Sequence, residues 1–228
     1  NKNKISKIND ALRAYNEVVQ KQYHDYDDYS TQSKYAQTFT QYQEGGSMYA
    51  IYGMRSLGIN PANGKEVYLR PDGTITYEWR AADQVQIGNT EPWAQGSFGL
   101  NARWKNFSLF ASFLYEFGDQ RYNSTLVSEV DNANLERCNV DPRVSTDRWK
   151  NPGDVTPLKD IKDRTQVTRP TSRFVQDYNT LQFNSLSVSY DFPSKLVKRW
   201  GLGMLRLTAN MEDLAYISSV LQERGLSY

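Results

Sequence analysis

Apolar and polar residues alternate along four stretches of the chain, so that every second side chain is apolar. The stretches are residues 97–105, 107–117, 181–191 and 203–212. Alternation with a period of two predicts β-strands that have one apolar face and one polar face. The first two stretches are separated only by Lys105 and Asn106, so Trp104 and Phe107 stand opposite each other. The alternation therefore keeps its register through this two-residue turn, as expected for an antiparallel hairpin.

The rest of the chain predicts few regular elements. Apolar residues at spacings of three and four predict an amphipathic helix at residues 5–20, and a second hairpin is predicted at residues 67–79 around Asp72 and Gly73. Residues 118–180 are polar and contain several prolines, which predicts a long connection. We therefore predict two regions, a loop region at residues 1–96 and a strand region at residues 97–228.

The apolar face of the predicted strands has two possible environments. A β-sandwich would bury it in a core, whereas a membrane barrel would expose it to lipid, and alternation alone fits both. The predicted strands have nine to eleven residues, and the connections between them are alternately short and long. Both features favour a membrane barrel. The charged residues of the strands lie on the opposite face, which we assign to the lumen. The residues predicted to face lipid are Phe98, Leu100, Trp104, Leu109, Phe113, Leu205 and Leu207.

Composition excludes several classes of function. The net charge of +1 gives no overall field for binding nucleic acid, and no apolar run is long enough for a membrane-spanning helix. Cys138 is the only cysteine and His24 the only histidine, so an internal disulfide and a cysteine or histidine cluster for a metal are excluded. The acidic stretch after His24 has Ser30 and Ala36 where a calcium-binding EF-hand loop needs glycine and glutamate. We therefore expect no catalytic residue, no metal, no cofactor and no enzymatic activity.

Two groups of side chains are candidates for contact with a transported substrate. A tyrosine-rich stretch, including Tyr23, Tyr26 and Tyr29, offers flat aromatic faces that could stack on sugar rings, or could instead pack against neighbouring loops. The polar faces of the predicted strands carry the second group, which could line a transport path or simply form a hydrated wall. Its members are Glu116, Arg206, Asn210 and Glu212.

Eight short strings together resemble SusC/RagA-type TonB-dependent transporters of Bacteroidetes. They are YAIYGMRSLGINPANG at residues 49–64 followed by KEVYL, IGNTEP at 87–92, YEFG at 115–118, DRWK at 147–150, PGD at 152–154, TSRFV at 171–175 and ERG at 223–225. Their order and spacing match the C-terminal region of that family over nearly the whole chain.

The resemblance implies an all-β fold, with the chain forming an antiparallel segment of a transmembrane β-barrel of about 22 strands. It implies that residues 1–96 and 118–180 are extracellular, and that the plug and the last strand lie outside the chain. It also implies an outer-membrane location, a SusD-like surface lipoprotein as partner, and energy delivered through TonB. The expected cargo is an oligosaccharide. The alternatives are a siderophore or peptide transporter of the same architecture, or a soluble β-rich carbohydrate-binding or adhesion module.

Overall fold

The computed structural model describes residues 3–24, 38, 40–133, 141–163 and 167–220. These residues form two compact units. The first unit contains described residues within 3–91 and 120–176, and the second contains residues 92–119 and 177–220. Among the described residues, no helix has both the length and the apolar character needed to cross a membrane.

Helix α1 of the first unit spans Asp10–His24, whereas the sequence predicts residues 5–20. The side chain of Asn9 caps its N-terminus, because Oδ1 accepts a hydrogen bond of 2.9 Å from the backbone N–H of Leu12. The predicted start is wrong because Ile5 lies before the helix, in a segment without regular secondary structure. Its backbone exchanges hydrogen bonds of 2.9 and 2.8 Å with Gly46 and Gly45.

Two small antiparallel sheets follow α1 in the first unit. Strand β1 (Ala50–Gly53) pairs with β5 (Val85–Asn89), and β2 (Arg55–Ile59), β3 (Glu66–Leu69) and β4 (Ile75–Thr76) form a three-stranded sheet. The β3–β4 hairpin lies within the predicted residues 67–79. Its turn is closed by Asp72, whose Oδ1 accepts hydrogen bonds from the backbone and the hydroxyl of Thr74, and Gly73 has a φ of +84°.

Further helical turns connect the strands of the first unit, and its apolar residues form three buried clusters. A π-helix spans Leu126–Asp131, α2 spans Arg143–Thr146, and short 3-10 helices span Ala81–Asp83 and Ser172–Phe174. The first cluster joins α1 to the two small sheets and to the segment between β4 and β5. The buried members of the three clusters are Val19, Met54, Tyr68, Trp79 and Ala81; Val130, Ala133, Val144 and Leu158; and Val127 with Phe174.

The second unit contains a single four-stranded antiparallel sheet in the order β6-β7-β8-β9. Its strands span Ala94–Trp104, Phe107–Tyr122, Val175–Asp191 and Arg206–Ser218, and helix α3 (Ser194–Arg199) precedes β9. The last three residues of β7 and the first two of β8 belong to the first unit. Every strand is longer than predicted, with 11, 16, 17 and 13 residues, so β7 and β8 take up both ends of the predicted connection 118–180. The prediction that β9 starts at residue 203 and ends at 212 is wrong. The strand continues past Asp213, which adopts a φ of +52° in the middle of it.

The β6–β7 hairpin has the register that the sequence predicts. Phe98 pairs with Phe113, Leu100 with Ala111 and Trp104 with Phe107, without a break along the two strands. The turn is possible because Lys105, its first central residue, adopts a φ of +52°. The apolar side chains of both strands therefore lie on one face of the sheet, which we call the apolar face; we call the other the polar face.

Strand β8 changes the phase of its alternation near its middle. Phe183 stacks on Phe113, with ring centroids 4.7 Å apart, whereas Ser185 shares a hydrogen bond of 2.7 Å with Ser112. Ser112 and Phe113 are adjacent in β7 and point to opposite faces, so Phe183 and Ser185 do so as well. The pairing of β8 with β9 shifts register at the same place, between Phe183 and Ser185. This irregularity keeps Phe183 on the apolar face together with Tyr190, which contacts Phe107.

Candidate functional site

The polar face of the second unit's sheet is built from hydroxyl, amide and paired charged side chains. Cross-strand pairs connect these groups, which is the usual way in which neighbouring strands stabilise one face of a sheet. Four such pairs are Ser112–Ser185 at 2.7 Å, Ser187–Asn210 at 2.7 Å, Ser189–Thr208 at 3.1 Å and Asp191–Arg206 at 2.5 and 3.0 Å. The result is a surface with many hydrogen-bonding groups and few uncompensated charges.

A shallow concavity of about 280 Å³ lies on this sheet, close to the β6–β7 turn. Arg103 supplies its positive charge, and Ser187 and Ser189 supply hydroxyl groups. Its lining residues are Asn101, Ala102, Arg103, Ser108, Leu109, Phe110, Ser187 and Ser189. Such a depression can hold a few water molecules or one edge of a polar solute.

Three of the four predicted strand candidates lie together on β9. Arg206 forms the ion pair with Asp191, Asn210 accepts the hydrogen bond of Ser187, and Glu212 stands opposite Ser185 in the register. The fourth, Glu116, lies on β7 opposite Gln95. The structure thus places all four on strands of one sheet, with two of them already engaged in cross-strand pairs. Their contact with a substrate stays a prediction.

The aromatic candidates lie at the edge of what the structure describes. Tyr23 belongs to helix α1, but its side chain lies outside the described residues, as do Tyr26 and Tyr29. The same holds for Cys138 and for the string at residues 223–225. Within the described part of the chain, no group of three or more histidine, cysteine or acidic residues could hold a metal ion.

The apolar face is left uncovered by other elements of the second unit. Phe98 is 52% exposed, Leu100 56% and Leu207 66%, and all three buried apolar clusters of the described residues belong to the first unit. A row of large, uncovered apolar side chains on one face marks a contact with lipid or protein. Leu109 and Phe113 are half-buried within the face. Leu205 is half-buried too, but it precedes β9 and its carbonyl accepts the N–H of Phe192.

Aromatic side chains border the apolar face at both ends of the strands. At one end Phe107 contacts Tyr190, with ring centroids 4.6 Å apart, and Tyr190 contacts Phe192 at 4.9 Å. At the other end Tyr115 stacks on Phe117 at 5.7 Å. Rings in two rows that border an apolar band are typical of β-barrels at the two membrane interfaces.

The strings that carry the family resemblance meet in a buried ionic cluster of the first unit. Arg173 from TSRFV donates to Glu66 from KEVYL at 2.8 and 3.1 Å, and to Asp131 at 2.9 Å. Thr168 donates to Asp131 at 2.5 Å. Burial would raise the pKa of Asp131, but the positive charges of Arg173 and Lys159 and the hydrogen bonds of Arg173 and Thr168 lower it to about 2. Asp131 therefore stays ionised, and its carboxylate and that of Glu66 join separate segments of the first unit through Arg173.

Two further strings pack on each other beside this cluster. The indole N–H of Trp149 donates to the carbonyl of Pro61 at 2.8 Å, and its ring covers Gly64, where a Cβ would lie 2.5 Å from the ring. The buried guanidinium of Arg148 donates to four backbone carbonyls, among them those of Val130 and Lys159. These strings thus encode one packing arrangement, which single-residue patterns could not reveal.

Comparison with known proteins supports the resemblance. No family model matches the chain. TonB-dependent receptor P3 from Formosa agariphila is 27% identical over 165 residues, which are 71% of this chain and 15% of that protein. A structure of the RagAB peptide importer in its open-open state matches with a TM-score of 0.65 and 22% identity, over 76% of this chain and 19% of that chain. A structure of the RagAB peptide transporter matches with a TM-score of 0.65 and 23% identity, over 77% and 20%.

The chain spans about a fifth or less of the length of these relatives. The structural likeness establishes the fold, namely antiparallel sheets that form part of a β-barrel. The similarity in sequence to a TonB-dependent receptor, together with this fold, confirms the predicted location in the outer membrane. The resemblance drawn from the sequence strings is thereby confirmed: in sequence and in fold, the chain is similar to a section of a SusC/RagA-type TonB-dependent transporter.

Proposed function

We propose that this chain is a section of a transporter that imports a nutrient across the bacterial outer membrane, using energy delivered through TonB. The observation that carries the proposal is the two-sided sheet of the second unit. One face is apolar, uncovered and bordered by aromatic rings, and the other is a row of paired polar groups. A sheet of this kind suits a wall between lipid and a water-filled lumen. The alternative of a soluble binding module would leave the apolar face without a partner.

The cargo that we propose is an oligosaccharide. The polar face offers mainly neutral hydroxyl and amide groups, and the charges of Arg206 and Asp191 compensate each other. Neutral donors and acceptors suit the hydroxyl groups of a sugar, and a wall whose polar groups are mostly neutral lets a solute leave as easily as it enters. The transport needs no bond to be broken, so we propose no enzymatic activity.

A peptide is the second candidate for the cargo. The RagAB structures that share the fold are described as a peptide importer and a peptide transporter. At 22–23% identity they share the fold with this chain, and the side chains that contact the cargo can differ. A SusD-like lipoprotein that closes over the barrel is the partner that we propose for either cargo, and the resemblance of the sequence strings to the SusC/RagA family supports it.

The test is growth of a strain in which the gene that encodes this chain is deleted. The strain is grown on single oligosaccharides and single peptides, each as the only source of carbon, with a copy of the gene restored as the control. Selective loss of growth on oligosaccharides supports the proposed cargo, and selective loss on peptides supports the second candidate. Normal growth on the whole panel would refute nutrient import.

A further inference from the structure

The connection between β8 and β9 carries an amphipathic helical turn. In α3, Lys195, Lys198 and Arg199 are three and four residues apart and so share one side of the helix. Leu196 and Trp200 are also four residues apart and are 39% and 57% exposed. Val197, between them, is fully buried. The connection therefore presents cations and apolar side chains outward, next to each other.

The end of α3 is rigidly defined, so this arrangement is fixed by the backbone. Gly201 adopts a φ of +72° and donates its N–H to Lys198 at 3.1 Å, and Leu202 donates to Val197 at 3.2 Å. This pair of bonds is the Schellman motif, which ends a helix and requires the left-handed conformation that glycine tolerates. Two more exposed apolar residues, Leu202 and Met204, follow directly.

The connection carries a positive charge, and no acidic residue within it balances that charge. Residues 192–205, which we call the basic connection, contain three cations and no aspartate or glutamate. The carboxylate of Asp191, just before it, already pairs with Arg206 at 2.5 Å. The three cations of α3 are exposed. They are therefore available to an anionic partner.

The basic connection lies at one aromatic border of the apolar face. Asn106 lies in the β6–β7 turn, and its side-chain amide donates to the backbone carbonyl of Asp191 at 2.7 Å. The backbone carbonyl of Asn106 accepts the N–H of Asp191 at 2.9 Å. The turn thereby holds Trp104 beside the start of the connection. Trp104 is 68% exposed, and the ammonium group of Lys105 lies over its ring at 4.6 Å from the centroid. Phe192, the first residue of the connection, contacts Tyr190 of the border.

We propose that the basic connection binds the headgroups of anionic phospholipids at the membrane surface next to this border. The inference rests on the proposed function, because it needs the apolar face to contact lipid. Apolar residues beside cations on one short helix are typical of segments that lie in a membrane interface. Leu196 and Trp200 would enter the headgroup layer, and Lys195, Lys198 and Arg199 would pair with phosphates. The continuity of the connection with the apolar face favours lipid over an acidic protein.

The test measures which lipid gathers around the intact transporter that carries this chain. The protein is reconstituted into phosphatidylcholine vesicles that contain a trace of dansyl-labelled phosphatidylglycerol or dansyl-labelled phosphatidylcholine. Energy transfer from tryptophan to the dansyl group reports enrichment of the labelled lipid. We compare the unchanged protein with the variant Lys195→Gln, Lys198→Gln, Arg199→Gln. The control variant changes three exposed lysines of the first unit, Lys4→Gln, Lys7→Gln and Lys21→Gln.

The expected result is enrichment of phosphatidylglycerol over phosphatidylcholine that the control variant keeps and the triple variant of α3 loses. Each lost cation should lower the preference by about fivefold at low salt. High salt should weaken it, and inorganic phosphate at matched ionic strength should not compete more than chloride does. Equal enrichment of both lipids in the unchanged protein would overturn the inference. The inference would also be overturned if soluble polyglutamate bound to the protein through the three cations while the lipid preference did not depend on them.

This experiment separates the inference from the proposed function. Growth on the nutrient can persist in the triple variant, since none of its changes touches the polar face. If the protein imports its nutrient but shows no lipid preference, only the inference fails. If the protein does not insert into vesicles at all, the proposed function fails with it.

Discussion

The assignment of the two faces of the sheet can be tested at two neighbouring residues of β6. Leu100 lies on the apolar face opposite Ala111, and Asn101 lies on the polar face opposite Phe110. Leu100 is more than half exposed, and Asn101 is exposed as well, so an arginine fits sterically at either position. We therefore compare Leu100→Arg with Asn101→Arg, two variants that add the same side chain one residue apart.

The structure gives the expected size of the effect. Phe107 and Phe117 belong to the two aromatic borders, and the ten steps along the strand from one to the other span about 34 Å. At a tilt of about 40° this corresponds to a height of about 26 Å, close to the apolar band of about 25 Å in known barrels. Ala111, and Leu100 opposite it, lie about 10 Å above the nearer border, well inside the band. An arginine there should cost about 2–3 kcal/mol, since the cost at the midplane is about 2–4 kcal/mol.

The assay is reversible unfolding of the intact transporter from vesicles in denaturant, which yields a free energy of unfolding for each variant. Asn101→Arg should change this free energy by less than about 0.5 kcal/mol, as expected for an exposed polar position. Leu100→Gln, which adds a polar group without charge, separates the cost of charge from that of losing leucine. The reasoning is refuted if the two arginine variants cost the same, or if Asn101→Arg is the more costly one.

Two further predictions concern the first unit. Because the pKa of Asp131 falls from 3.8 to about 2 on folding, its carboxylate should contribute about 2 kcal/mol of stability that is present above about pH 4 and lost as the pH falls towards 2. The free energy of unfolding measured across this range should fall with falling pH, and Asp131→Asn should remove this dependence. If the variant keeps the same dependence on pH, other groups cause it. Gly64→Ala should destabilise the unit by more than about 2 kcal/mol, because φ is +70° and the new Cβ would collide with Trp149, whereas Gly73→Ala should cost only about 1 kcal/mol for its φ of +84°. Equal melting temperatures for the two alanine variants would contradict this.

The regular parts of the sheet could be predicted from sequence because they depend on local alternation. The β6–β7 hairpin is the clearest case, since the pairing of Trp104 with Phe107 follows from the two-residue turn alone. The alternation also identified which face of β6 and β7 is apolar. It underestimated the strand lengths because the ends of β7 and β8 are polar, and a polar end of a strand has the same composition as a loop.

The irregular parts could not be predicted, since they depend on residues that are distant in sequence. The phase change at Phe183 is visible only through its contact with Phe113 in the neighbouring strand. Helix α3 has six residues, too few for a periodic pattern, and its end depends on the φ of Gly201. The ionic cluster joins Arg173 to Glu66, 107 residues apart, so no local signal could identify it.

Charge is used in two different ways in this chain, and the difference supports a wall rather than a tight binding site. In the first unit, Arg173 is buried among Glu66 and Asp131, where ionic bonds hold separate segments together. On the polar face of the second unit, the ion pair of Arg206 with Asp191 is exposed, and apart from Arg103 the groups around it are mostly neutral hydroxyls and amides. An exposed, compensated pair attracts a solute weakly, because water screens it and neither charge is left over. A surface that borders a path through a membrane needs this weakness, since a solute held tightly along the way would not be released.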